Sequence, residues 1–153
     1  IGVGDGPYGV AFDGTHIWTA NRNDDTVSKI VATTGAVAAT IGVGDAPWGV
    51  AFDGTHIWVT NYSDDTVSKI VAATGAVAAT IGVGDFPYGV AFDGTHIWVT
   101  NVDDGTVSKI VAASGVVAAT IGVGTGPEGV AFDGTHIWVA NTGDDTVSKI
   151  PVG

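Results

Sequence analysis

The stretch Gly9-Val-Ala-Phe-Asp-Gly-Thr-His-Ile-Trp-Thr-Ala-Asn21 decides the fold. Asp13-Gly14 is the two-residue signal of a tight hairpin turn, and short β-prone runs, residues 9–13 and 16–20, stand on either side of it. They read as strands A and B of a hairpin. Beyond them, residues 21–25 form a polar loop and residues 26–31 alternate apolar with polar as strand C. Thr34-Gly35 then turns the chain into strand D over residues 36–43. A helix is excluded, because glycine, β-branched residues and period-two alternation dominate every segment. Forty residues therefore spell one four-stranded antiparallel meander.

The same forty residues recur. Ile-Gly-Val-Gly opens at Ile1, Ile41, Ile81 and Ile121, dividing the chain into copies 1–40, 41–80, 81–120 and a shorter 121–153, all within one domain. The first two copies are identical at 33 of 40 positions, which implies recent duplication or deliberate design. A lone meander cannot cover both of its faces, so successive copies must stack. Radial stacking of four-stranded sheets at a period of ~40 residues is an all-β propeller. A linear solenoid is the weaker reading, since solenoid coils carry one or two strands each rather than a whole meander.

Composition narrows the partners. A formal net charge of −11 with five Lys and Arg leaves no basic stripe for a phosphate backbone or an anionic membrane, so neither nucleic acid nor membrane is expected. The absence of Cys removes thiolate chemistry and Cys-ligated zinc. Hydrophobic residues at 45% are too many for a disordered chain, and 24 glycines suit many tight turns.

The runs Trp58-Val-Thr-Asn61 and Trp98-Val-Thr-Asn101, each followed by Thr-Val-Ser-Lys-Ile, Ala-Thr-Ile-Gly-Val-Gly, Pro and Gly-Val-Ala, resemble the YVTN β-propeller repeat. Trp stands for the family's Tyr throughout, and Trp18-Thr-Ala-Asn21 and Trp138-Val-Ala-Asn141 depart further. The resemblance implies a propeller, often bacterial or archaeal, and secreted, periplasmic or on the cell surface if natural. It implies no single activity. A more distant resemblance to virginiamycin B lyase-type propellers implies a metal-dependent lyase or hydrolase working through His, Glu and magnesium.

The last copy supplies strands A to C only, and Ile1 to Val3 match the tail of a strand D. Two closures follow: a four-bladed ring turning ~90° per step, or two chains sharing an eight-bladed ring. Self-association into a homodimer is the favoured expectation. The missing outer strand leaves an edge that Pro151 and Lys149 blunt.

In such a meander the D-to-A and B-to-C loops share one end of the disc, the A-to-B and C-to-D turns the other. The copies differ mainly on the first end, at Gly6/Ala46/Phe86/Gly126, Tyr8/Trp48/Tyr88/Glu128 and Arg22/Tyr62/Val102/Thr142. Variable loops on a rigid scaffold are where binding sites arise. Tyr8, Trp48, Tyr88, Glu128, Phe86, Arg22 and Tyr62 are therefore the candidate ligand-binding residues. Twelve of the sixteen acids fall on the same end, so a cation, a glycan or a peptide suits it. Turn initiation accounts for many of those Asp residues, and blade packing for Trp18, Trp58, Trp98 and Trp138. His16, His56, His96 and His136 repeat in one context, whereas catalysis needs one group tuned apart from its copies. No catalytic residue, metal ligand or cofactor is expected, and a protein without an evolved ligand fits the near-identical copies equally well.

Overall fold

The computed structural model describes residues 1–153 and contains fifteen strands in four antiparallel sheets. Blade 1 comprises β1 (Pro7–Phe12), β2 (His16–Asn21), β3 (Thr26–Val31) and β4 (Val37–Gly42). Blade 2 follows with β5 (Pro47–Phe52), β6 (His56–Asn61), β7 (Thr66–Val71) and β8 (Val77–Gly82). Blade 3 has β9 (Pro87–Phe92), β10 (His96–Asn101), β11 (Thr106–Val111) and β12 (Val117–Gly122). Blade 4 stops after β13 (Pro127–Phe132), β14 (His136–Asn141) and β15 (Thr146–Pro151). Every sheet keeps sequence order, as a meander requires. Strand A begins two residues earlier than its β-prone run suggested, at Pro7, and carries a bulge before Val10.

Local chemistry sets the turns. Gly14 takes φ 98°, while the Asp13 carboxylate accepts the amides of Thr15 at 2.8 Å and His16 at 2.6 Å. That Asx turn is rebuilt by Asp53, Asp93 and Asp133. The other carboxylate oxygen of Asp13 accepts the Trp18 indole N–H at 2.7 Å, so the turn also aims the largest core side chain. The Asn that ends each strand B is buried, and Asn21 donates to the hydroxyls of Thr26 and Ser28, tying the B-to-C loop shut.

The core lies between blades. Trp18, Ala20 and Val27 of blade 1 pack on Ile57, Val59 and Ile70 of blade 2, and the Trp, Val and Ile of this set recur between blades 2 and 3 and between blades 3 and 4. Removing one such Trp side chain should cost about 3–5 kcal/mol. The strands A line the inner edge, β1 against β5, β5 against β9 and β9 against β13. No strand of blade 4 packs extensively on a strand of blade 1, so the single-chain four-bladed closure, one of the two alternatives, is not formed. Trp138 is 38% and Val147 62% exposed where their equivalents in the other blades are 0%, and Val10 and Phe12 are 63% and 55% exposed on the opposite end face.

Candidate binding site at the inner lip

The two loop classes share an end as the meander demands. Arg22 donates its amide to the Gly6 carbonyl at 2.9 Å, and Asp5 donates its amide to the Asp24 carboxylate at 2.7 Å, joining D-to-A and B-to-C loops. At the other end Ala32 donates to the Thr15 carbonyl at 3.0 Å, joining C-to-D and A-to-B turns.

On the first end, the bulge in each strand A turns its second residue to the inner lip. A cavity of about 320 Å³ is lined there by Tyr8, Trp48, Tyr88 and Glu128 with the glycines that follow them. Those glycines let the backbones close in: a Cβ on Gly49 would sit 2.5 Å from the Tyr88 carbonyl oxygen. Residues forty apart in sequence thus form a continuous aromatic wall. Tyr8 stacks on Trp48 with ring centroids 4.1 Å apart, and Trp48 lies 4.8 Å from Tyr88. Tyr62 joins at 5.7 Å from Trp48 and stacks on Phe86 at 4.8 Å. The Arg22 guanidinium lies 5.1 Å over Trp48. The structure therefore brings all seven candidate residues onto one lip, with Glu128 at the end of the wall.

Glu128 accepts a hydrogen bond from the Thr142 hydroxyl at 3.3 Å. Thr142 is a contact that sequence reasoning left out, although it occupies the variable position of Arg22 and Tyr62. Phe86 and Ala46 hold φ of 54° and 51°, a left-handed conformation that Gly6 and Gly126 adopt at the equivalent positions. The acids around this lip repel one another. The charges of Asp104 and Asp65 hold Asp85 above the usual carboxylate range, and partial desolvation with the Asp25 and Asp64 charges does the same for Asp45.

The opposite end carries the largest cavity, about 440 Å³ between blades 1 and 2, lined by Asp13, His16, Lys29, Phe52, His56 and Ala72 among others. Its polar groups serve the fold. Burial by itself would raise Asp53, but hydrogen bonds from the Trp58 indole and from the His56 and Thr55 amides outweigh it and hold the carboxyl below its usual range. His16, His56 and His136 each share a hydrogen bond with the preceding Thr hydroxyl, and all four His lie 3.4–3.8 Å from their own turn Asp. Nowhere do three His, Asp or Glu side chains converge as metal ligands. The donor set does not fit magnesium held by His and Glu.

No family model and no curated protein matches the sequence. Solved structures do match. The computationally designed Ika4 protein superposes with a TM-score of 0.88 at 17% identity, over 99% of this chain and 94% of that one. The WD40 β-propeller domain of Doa1 gives 0.79 at 20% identity, covering 96% of this chain and 50% of that one. A streptogramin B lyase structure gives 0.73 at 19% identity, covering 97% and 55%. The fold is a β-propeller. The chain spans about half the length of the Doa1 domain and of the streptogramin B lyase structure.

Proposed function

We propose that the chain is a non-catalytic binding propeller of the YVTN kind, built by repeat amplification or design, whose ligand meets the acidic, aromatic lip. The observation carrying this reading is the aromatic wall, in which Tyr8, Trp48 and Tyr88 from three blades converge beside Glu128 on one cavity. Its likeness to a designed propeller and to a WD40 domain supports a scaffold role. A panel of glycans, peptides and cations tests it, with Tyr88→Ala as control. Binding of one class that weakens at least tenfold in the control is the expected result; no binding, or equal binding by the control, leaves the protein without an evolved ligand at this site.

The working unit in this reading is a homodimer closing one eight-bladed ring. Its two open faces are the two halves of an interface the chain already makes three times. Trp138, Ala140 and Val147 wait on blade 4 as Trp18, Ala20 and Val27 do on blade 1, while Val10, Phe12 and Ile17 match the set that receives them. Ile1 already packs on Gly35 as Ile41 packs on Gly75 and Ile81 on Gly115. Its backbone is thereby set to lie beside Val147 of a second copy, as Ile41 lies beside Val27. Burying such apolar faces contributes about 25 cal/mol per Å², and a two-fold axis makes two copies the smallest closed set. Light scattering should give twice the mass of the 15.3 kDa chain, and Val147→Asp should return it to one. A single-chain mass at high concentration would refute the ring.

A lyase or hydrolase of the virginiamycin B lyase type is the second reading, favoured only by the fold shared with streptogramin B lyase. Turnover of a streptogramin that vanishes on His→Ala replacement in all copies would establish it in place of the first.

A further inference from the structure

We propose that the closed ring holds, at each of its two inter-chain junctions, a site for an organic ammonium group formed by Tyr88 and Glu128 of one copy and Tyr8 of the second copy. This rests on the two-chain ring above and names the ligand class of its lip.

The junction can be built from the chain's own interfaces. Gly9, Gly49 and Gly89 each abut the carbonyl of the following blade's lip residue, Trp48, Tyr88 and Glu128 respectively. Gly129 has the same place in its strand, yet a Cβ there would meet only Ala140, at 3.7 Å. The second copy's Tyr8 belongs across from it. Lip residues of adjacent blades stand 4.1–4.8 Å apart between ring centroids. Glu128 is therefore flanked by a tyrosine on either side, Tyr88 within the chain and Tyr8 from the second copy. Within one copy Tyr8 lines the same cavity from the far end of the wall; the place beside Glu128 falls to Tyr8 of the second copy.

A carboxylate between two aromatic faces selects an organic cation, since the ring quadrupoles and the acid attract the same charge. The chain shows this preference itself: the Arg22 guanidinium sits over Trp48, where the wall is purely aromatic. The equivalent positions near Glu128 are Val102 and Thr142, which bring no cation. All four ion pairs of the chain are His–Asp pairs at the opposite end, so the Glu128 charge has only the Thr142 hydroxyl to answer it. The surrounding Asp residues add a field of the same sign.

Tetramethylammonium chloride is the probe, titrated against the protein by calorimetry, with mass measured by light scattering in the same buffer and maltose run in parallel. The expected result is a two-chain mass and one ammonium per chain, weakened at least tenfold by either Glu128→Gln or Tyr8→Ala without change of mass. Unfolding and refolding the two variants together should restore one site in each mixed ring, about half of all rings, because a mixed ring pairs the intact Glu128 of one chain with the intact Tyr8 of the other. A two-chain mass with no ammonium binding, with maltose binding alone, or with no restoration on joint refolding overturns the site and leaves the ring standing. A one-chain mass overturns both.

Discussion

The Lys149 ammonium lies 5.0 Å over the Trp138 ring and donates no hydrogen bond. Its equivalents stack on their own Trp at 5.0–5.2 Å but also reach the next blade, Lys29 to the Ala72 carbonyl at 2.7 Å, Lys69 to Ala112 at 2.7 Å and Lys109 to Val152 at 3.0 Å. A buried ammonium needs such an acceptor, and a charge-assisted bond of this kind is worth about 1.5–3 kcal/mol. Lys69→Met should therefore lower the thermal midpoint at any protein concentration. Lys149→Met should lower it only where rings form, because its acceptor, the Ala32 carbonyl, belongs to the second copy. Equal losses at low micromolar concentration would contradict this.

The lip glycines give a second asymmetric pair. Gly49→Ala drives a methyl into the Tyr88 backbone, which cannot yield without parting blades 2 and 3. We expect a loss of at least 1–3 kcal/mol, the range for overpacking, read from denaturant unfolding. Gly129→Ala meets only Ala140, at an ordinary 3.7 Å, within one chain, so its unfolding midpoint should be unchanged at low concentration while its ring fails to form on a sizing column. A Gly129→Ala protein that still doubles its mass would place the junction elsewhere.

Architecture was legible because each repeat states its turns and its alternation locally, and a forty-residue period admits few ways of burying a meander. The lip residues were legible for a related reason: where the template is otherwise near-identical, Tyr8, Trp48, Tyr88 and Glu128 stand out as differences. What the sequence hid is contact between residues that never vary. Asp13 and Trp18 occur in every copy, so nothing in the chain distinguishes an Asp that forms a turn from one that also fixes an indole. The opening between blades 1 and 4 was one of two closures the strand count allowed, and strand order could not choose between them, because blade angle is set by how the Trp and Val side chains pack between sheets.

Left-handed backbone at the lip yields a third prediction. Ala46→Gly removes the steric cost of φ 51° and loses no ring contact, so it should stabilise the chain by about 1 kcal/mol. Phe86→Gly removes the same strain but also the stack on Tyr62, worth about 0.5–1.5 kcal/mol. Its gain should be smaller or nil. If both variants rise equally in thermal midpoint, the Phe86–Tyr62 stack contributes nothing to the fold.

Acid titration should show two limbs of opposite sign. Asp85 and Asp45 are held above the ordinary carboxylate value in the folded chain, so their ionisation opposes folding. Lowering the pH from neutrality toward that raised range protonates them in the folded state first and adds stability. Asp53 and Asp93 are held below the ordinary value, as hydrogen bonds to the Trp indole and turn amides outweigh the cost of burial. Their contribution is complete above the unfolded value and is lost as the pH falls below it through the folded one. Thermal midpoints at fixed ionic strength should therefore rise as the pH falls through the raised range of Asp45 and Asp85, and drop once it falls below the ordinary carboxylate value. Asp45→Asn with Asp85→Asn should flatten the upper limb and leave the lower one. Asp93→Asn should lower the whole curve and shallow the acid limb, because the amide cannot accept with the strength of the carboxylate. A midpoint that declines steadily from pH 7 would show that repulsion at the lip is too well screened to reach the fold.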